Sequence, residues 1–288
     1  MDGSGLNVDE MQAFARWTNL SETTFLLPPS PAAAAQGADY RVRIFTPADE
    51  LPFAGHPTLG SCHAWLQAGG TPKAADTIVQ ECAKGLVQLK RDGTRLAFAA
   101  PSLQRSTPDA ALIARVAAGL GLRTEQIRAA QWLDNGPVWL GLLLDSMDTV
   151  LDLRPDHSAL KGLARGIGVA GMDAAPAAPD LIVRSNREAR AFGGSSSSAS
   201  AATLEDTPSI EVRFFADDIG VTEDPVTGSF NASLAQWLIA DGIAPAHYVA
   251  AQGTCIGRAG RVFIEQDPQG QVWVGGDSVT CIEGKVFL

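Results

Sequence analysis

Apolar residues alternate with polar ones at a strand period in some stretches of the chain and at a helix period in others, and one succession of these periods occurs twice. Arg43 to Leu66 reads RIFTPADELPFAGHPTLGSCHAWL. With the preceding Tyr40-Arg41-Val42, its opening is rich in β-formers and predicts a strand over Tyr40–Phe45. Pro47, Pro52 and Gly55 interrupt that pattern. A helix then starts near Pro57, a residue suited to a first turn because no N–H is wanted there. It runs through Ala64, Trp65 and Leu66 to a stop at Gly69-Gly70. Gly55 and His56 therefore fall at a helix N-terminus, whose free N–H groups form an anion site. Arg213 to Leu238, RFFADDIGVTEDPVTGSFNASLAQWL, repeats the order of arginine, aromatic strand end, acidic and proline-containing turn, and glycine before a helix ending in Trp-Leu. The arginine-to-tryptophan spacing is 22 residues in the first copy and 24 in the second. A repeat at this distance predicts two similar domains and not a solenoid of short units. Two helix N-termini facing one cleft would hold an anionic ligand.

The rest of the chain alternates between the same two periods. Asn7 with Glu10 three positions on resembles a capping box, and Val8, Met11, Phe14 or Ala15, and Thr18 follow helical spacing to an end at Asn19-Leu20. Residues 1–6 read as frayed. Ser21–Leu27 predicts a strand and Pro28–Ala38 a loop. Thr77–Glu81, Gly85–Leu89 and Arg95–Ala99 predict antiparallel strands, with Asp92-Gly93 marking a hairpin. Pro108–Gly119 is helical. Gln131–Asp134 and Val138–Leu144 flank a turn at Asn135-Gly136-Pro137. Ser158–Arg165 predicts a short helix and Leu181–Arg184 a strand. Gly193–Ala202, GGSSSSASAA, has nothing to bury and predicts a mobile surface loop. The segment from Val249 to Leu288 reads as four strands with glycine turns. The class is α+β, in two domains, 1–107 and 108–288, with the last strand, near 278–288, able to return to the first.

Composition narrows the class of function. The 288 residues are 45% hydrophobic and 19% charged, as in a soluble globular protein. A net charge of −10 argues against nucleic acid, which needs a basic face. No signal peptide and no apolar run of membrane-spanning length is evident. Cys62, Cys82, Cys255 and Cys281 form no CxxC pair. Cys62-His63 are adjacent on a helix and point in different directions, which makes a poor metal clip. The reading is four reduced thiols in a cytoplasmic protein with no metal site.

Four polar residues carry the candidate chemistry. Glu22 stands at the join of a helix and a strand; a lone glutamate there is ordinarily a solvated charge, but its neighbours Leu20, Phe25 and Leu26 are apolar. A carboxylate withdrawn from water can exchange protons near neutrality. His56, between Gly55 and Pro57, is either a loop histidine satisfied by backbone or a presented side chain. Asp224 occupies the matching place before Pro225 and is either a turn aspartate holding its own backbone or a site residue. Gly228 and Ser229 begin the second helix, where Ser229 either caps it or binds a carboxylate. The residues alone leave each pair of readings open.

Taken together, Asn19-Leu20-Ser21-Glu22-Thr23-Thr24-Phe25, Phe45-Thr46-Pro47, Pro52-Phe53-Ala54-Gly55-His56-Pro57-Thr58-Leu59-Gly60, Asn135-Gly136-Pro137, Glu223-Asp224-Pro225-Val226-Thr227-Gly228-Ser229, and Gln252-Gly253 with Gly257-Arg258 resemble the PhzF family of phenazine-biosynthesis proteins and their relatives. The resemblance runs in order across nearly the whole chain. It implies the diaminopimelate epimerase-like fold of two pseudo-symmetric domains, each a curved, mostly antiparallel β-sheet or barrel around a central helix. It also implies a cofactor-independent, metal-free isomerase that moves a proton on a small cyclic amino or carboxylic acid. Glu22 would be the general acid/base, His56 and Asp224 would touch substrate, and Gly55, Gly228 and Ser229 would bind its carboxylate. The related epimerases use a cysteine at each helix start; Phe53–His56 and Pro225–Gly228 contain none, which disfavours a two-cysteine racemase.

Family members usually carry a further strand ahead of the first helix, whereas this chain starts almost at that helix. An open sheet edge is therefore expected. It motivates a second reading, a binding protein of the same fold that has lost turnover. It also motivates the expectation of a homodimer, against which the acidic surface works weakly. Light scattering at micromolar concentration checks the assembly: a dimer is expected, and a clean mass of 30.1 kDa would rule it out.

Overall fold

A computed structural model of the chain describes residues 1–173 and 207–287. The predicted strand Leu181–Arg184 and the serine-rich stretch Gly193–Ala202 lie outside the described residues. In chain order the elements are α1 (Val8–Thr18), β1 (Thr23–Leu27), α2 (Pro31–Ala35), β2 (Tyr40–Phe45), β3 (Glu50–Leu51), α3 (Gly55–Gln67), β4 (Thr77–Cys82), β5 (Gly85–Asp92), β6 (Arg95–Ala99) and β7 (Gln104–Ser106). They continue with α4 (Ala110–Leu120), β8 (Ile127–Asp134), β9 (Val138–Leu144), α5 (Met147–Asp152), α6 (His157–Leu160) and β10 (Ile167–Met172). The last are β11 (Ile210–Phe215), α7 (Gly228–Ala240), β12 (His247–Gln252), β13 (Gly260–Gln266) and β14 (Val272–Gly276). No helix among the described residues is long and apolar enough to cross a membrane.

Local rules account for many of these boundaries. The capping box at α1 is present: Asn7 Oδ1 accepts from the Asp9 and Glu10 amides while Glu10 Oε2 accepts from the Asn7 amide. Asn19 ends the helix in the left-handed region at φ 54, a conformation that asparagine tolerates better than most residues. Several expectations need correction. Residues 1–6 are not frayed throughout: the Gly3 amide donates to Leu26 O, the Leu26 amide to Met1 O, and the terminal ammonium to Thr24 O, along the outer edge of β1. The Pro28–Ala38 loop contains α2, where Ser30 caps the Ala33 amide and Pro31 takes the first helical position. The helix expected at Ser158–Arg165 is the single turn α6. Among the described residues, the segment from Val249 onward holds three strands and not four, and none lies near 278–288. The strand that pairs with β6 is β14, and Thr280 beyond it bonds to His63 and Gln67 of α3.

The chain divides into two compact units, Met1–Pro101 with Trp273–Leu288, and Ser102–Val272. In the first the strand order is β1-β2-β4-β5-β6-β14, with β3 paired to β2. In the second it is β13-β12-β11-β10-β9-β8-β7. Most neighbours are antiparallel, but β2 runs parallel to β4, β11 to β12, and β9 to β10. Parallel neighbours require a crossover. Helix α3 supplies it between β2 and β4, and α7 between β11 and β12. Each repeat is thus a strand, a loop, a helix and a parallel return strand. Each helix begins where the chain leaves the carboxyl end of the arginine-bearing strand.

The arginines hold the two loops in the same way. Arg43 Nε and a terminal nitrogen reach both Glu50 oxygens at 2.8 and 2.7 Å, with the guanidinium 5.1 Å from the Phe45 ring centroid. Arg213 reaches both Glu223 oxygens at 2.9 and 2.8 Å and lies 5.0 Å from Phe215. Bidentate pairing of this kind orients as well as attracts. The second pair is buried, and Arg213 also donates to the carbonyls of Val150 and Leu153.

Helix α7 is buried along almost its whole length. Gly141 of β9 and Gly168 of β10, paired in register, form the floor beneath it, and the Phe230 ring lies on them. A Cβ on Gly168 would fall within that ring. Gly168→Ala is therefore expected to destabilise the protein by about 1–3 kcal/mol, the range for overpacking a filled core. Thermal and denaturant unfolding measure this; an unchanged stability would show that α7 is free to shift.

Candidate active site

Glu22 sits three residues beyond the left-handed Asn19, on the short joint between α1 and β1. Thr18 Oγ1 donates to Ala15 O and lies 3.1 Å from Thr23 Oγ1, so the helix end and the strand start are tied on either side of the glutamate. Its side chain is partly buried, at 17% exposure. His56 occupies the second position of α3 and is more open. Its Nε2 lies 2.9 Å from Glu22 Oε2, an ion-pair distance without the alignment of a hydrogen bond. Glu22 Oε2 is buried with no hydrogen-bond donor directed at it. A partly buried carboxylate close to an imidazole is an arrangement that general acid/base chemistry can use.

The first turn of α3 contains no acidic residue, and Ala54 at its cap offers no side-chain acceptor. Gly55 is buried there. Deeper in, Tyr40 donates to Gln80 at 2.8 Å, and Gln80 Nε2 donates to Thr58 Oγ1 at 3.1 Å, which anchors the first turn to β4. Cys62 lies beside this network, fully buried. Burial pushes its thiol up to about 11, against a Tyr40 hydrogen bond that pulls it down. A thiol so placed is a poor nucleophile or proton carrier near neutrality.

In the second unit, Asp224 precedes α7 in the same way. Its amide donates to Phe214 O at 2.9 Å, its Oδ2 accepts the Thr227 hydroxyl at 2.6 Å, and its carbonyl accepts from Gln252 Nε2 at 2.9 Å. Thr227 is the N-cap residue, yet its side chain does not cap the helix. A threonine cap is worth about 1 kcal/mol, so diverting this hydroxyl to Asp224 leaves the first amides of α7 without it. Ser229 is therefore not the cap, one of the two readings its sequence position left open. It is the second helical residue, buried, and its Oγ accepts from the Trp139 indole at 3.1 Å. Its carbonyl accepts from Asn135 Nδ2 at 2.9 Å and from Ser233 Oγ at 3.1 Å. Asn135 Oδ1 is buried and has no hydrogen-bond partner among the described residues.

The structure thus brings Glu22, His56 and Gly55 together in the first unit, and Asp224, Gly228 and Ser229 together in the second. Trp139 went unnoticed in the sequence; its position two residues past the Asn135-Gly136-Pro137 turn was the available signal. Gln252 was visible only as part of a Gln-Gly dipeptide. Among the described residues, no group of three or more His, Cys, Asp and Glu side chains could hold a metal ion.

Known proteins share this organisation over the whole chain. A trans-2,3-dihydro-3-hydroxyanthranilate isomerase of Pseudomonas aeruginosa is 31% identical over 296 residues, covering 100% of this chain and 91% of its own. Antisense-enhancing sequence 1 of Schizosaccharomyces pombe is 33% identical over 302 residues, with the same two coverages. The crystal structure of a PhzF-family phenazine biosynthesis protein from Bacillus anthracis superposes with a TM-score of 0.73 at 19% identity, over 100% of this chain and 91% of that one, so the mixed α+β fold is the diaminopimelate epimerase-like one. The phenazine biosynthesis-like family, PhzC-PhzF, matches residues 1–284, and the chain belongs to it.

Proposed function

We propose that this PhzF-like isomerase works without cofactor or metal and moves a proton on a small cyclic amino or carboxylic acid, with Glu22 as the general acid/base. The observation that carries the reading is the 2.9 Å approach of His56 Nε2 to a buried Glu22 oxygen that no donor satisfies. Glu22 takes the proton from one carbon and returns it at another, so the C–H bond broken is replaced by the C–H bond formed and the double bond shifts between them. His56 and Asp224 contact the substrate.

The uncapped first turns of α3 and α7 support a role for Gly55, Gly228 and Ser229 in holding the substrate carboxylate. Helix N-termini favour an anion through open N–H groups and the aligned peptide dipoles. The duplicated strand–loop–helix–strand pattern, with an Arg–Glu clamp in each copy, supports descent of the two units from one pseudo-symmetric design. The substrate is a small anion, the site of action the cytoplasm, and the assembly a homodimer.

The test uses trans-2,3-dihydro-3-hydroxyanthranilate, the compound in the P. aeruginosa relative's name, together with other cyclic amino acids. Deuterium incorporation from solvent is followed for the parent and for Glu22→Gln. The variant keeps the shape of the side chain and loses its proton exchange, so incorporation should fall by at least about 10²–10⁴-fold, the usual contribution of a general acid/base. The melting temperature should stay unchanged. A Glu22→Gln protein that exchanges as fast as the parent would remove the glutamate from the mechanism.

A further inference from the structure

Gln252 of β12 is completely buried, and its amide contacts fix its orientation by elimination. The Thr227 backbone amide, 3.1 Å away, can only donate, so the atom facing it is Oε1. The Asp224 carbonyl, 2.9 Å away, can only accept, so the atom facing it is Nε2. A flipped side chain would place like against like at both contacts. Asn231 is fixed by the same logic: its Nδ2 donates to the Thr227 carbonyl at 3.0 Å and to Gln252 Oε1 at 2.8 Å.

The remaining Gln252 Nε2 proton then points at Thr227 Oγ1, 3.0 Å away. Oγ1 is an acceptor in that contact, so its own proton turns to its other close neighbour, Asp224 Oδ2 at 2.6 Å. A direction of donation therefore runs from Gln252 through Thr227 to Asp224. It explains why a threonine at a helix cap position does not cap.

We propose that Gln252 and Thr227 are positioning residues for Asp224: Gln252 sets the direction of the Thr227 hydroxyl, and that hydroxyl holds Asp224 as an acceptor-only carboxylate. The assignment rests on the reading of Asp224 as a substrate contact. It deepens that reading, because an acceptor-only group takes an N–H or O–H of the substrate and not its carboxylate. Gly253 belongs to the same arrangement: at φ +88, a Cβ there would press on Pro225 O and on the Cβ of Arg258, so the turn after Gln252 lies close under the Pro225-Val226 peptide, next to Asp224.

The test reads Asp224 directly and needs no substrate. In protein labelled with ¹³C at aspartate carboxyls, the Asp224 signal is the one lost in Asp224→Asn. Its titration is compared in the parent, Thr227→Val and Thr227→Ser. Valine keeps the shape and removes the donor, so the apparent pKa should rise by about one unit or more, as expected for losing a hydrogen bond to the charged form. Serine restores the donor and should restore the parent titration. Glu223 with its partner Arg213, and Arg258, are the same in all three proteins and cancel from the comparison. An unshifted Thr227→Val, or a Thr227→Ser that titrates like valine, overturns the proposal. A neutron structure of the unmodified protein gives a second arm that no misfolded variant can spoil. The Thr227 deuteron should lie between Oγ1 and Asp224 Oδ2, and a deuteron directed anywhere else overturns the assignment. Proton exchange by Asp224→Asn bears on the substrate-contact reading alone, so the two ideas fail separately.

Discussion

The feature on which the rest depends is a helix buried at its polar end. The first amides of any α-helix have no partner within it, and leaving a buried polar group unsatisfied costs about 1–3 kcal/mol. Helix α7 is buried from Gly228 to Ala235 and its N-cap Thr227 does not cap it, so its first amides are left for a ligand or water while the polar side chains around them must pair with one another. Thr227, Ser229, Asn231, Ser233 and Gln252 are all buried there, and each one finds its hydrogen bonds among the others or on Asp224, Asn135 and Trp139. Apart from Asn135 Oδ1, which has no partner among the described residues, these side chains are tied to one another, and a network so connected has few alternative arrangements. The apolar remainder of the helix, with Phe230 lying on two glycines, fixes where that network stands.

Helix α3 meets the same constraint with a lighter solution. Its return strand also contributes a buried glutamine, Gln80, and the fourth helical residue again bonds to it, though in the opposite sense: Thr58 Oγ1 accepts from Gln80 Nε2, whereas Asn231 Nδ2 donates to Gln252 Oε1. The surroundings differ. Only the first half of α3 is buried, Trp65 stacks on Tyr40 with ring centroids 5.0 Å apart, and His56 stays open. The second helical position is thus a presented histidine in one copy and an enclosed serine in the other. The same backbone plan yields a titratable group beside Glu22 in the first unit and a fixed hydroxyl in the second.

What could be read from the sequence follows this division between local and tertiary causes. The capping box at Asn7, the hairpin at Asp92-Gly93, the Asn135-Gly136-Pro137 turn and both glycine-led helices are set by residues close together in the chain, and each was legible. Strand β10 was not, because Gly168 and Gly171 look like breakers until Phe230 and the Ser146 carbonyl are seen packed against them. Helix α2 was hidden in a proline–alanine run whose cap, Ser30, is a single residue. The expected strand near 278–288 failed for the opposite reason: its Val279 and Ile282 face solvent, and side-chain bonds from Thr280 to α3 hold the segment instead. At the candidate site, the motif residues stand out in the sequence as a set, but the contacts of Trp139 with Ser229 and of Gln252 with Thr227 and Asn231 join strands to helix and no local pattern encodes them.

The placement of Glu22 follows from how tightly its backbone is held. A carboxylate on a flexible loop would lose its geometry to the conformational freedom of the chain, at about 1–2 kcal/mol per residue ordered. Here the joint is short, closed on one side by a left-handed asparagine and on the other by the first residue of β1, with the Thr18–Thr23 contact bridging the two. Strand β1 is itself held on both edges, by β2 and by the bonds from Met1 and Gly3. The side chain therefore inherits the rigidity of a sheet while remaining free to project beyond it. That combination, a stiff support and a side chain that projects beyond it, fixes where the Glu22 carboxylate stands relative to His56 Nε2, 2.9 Å away.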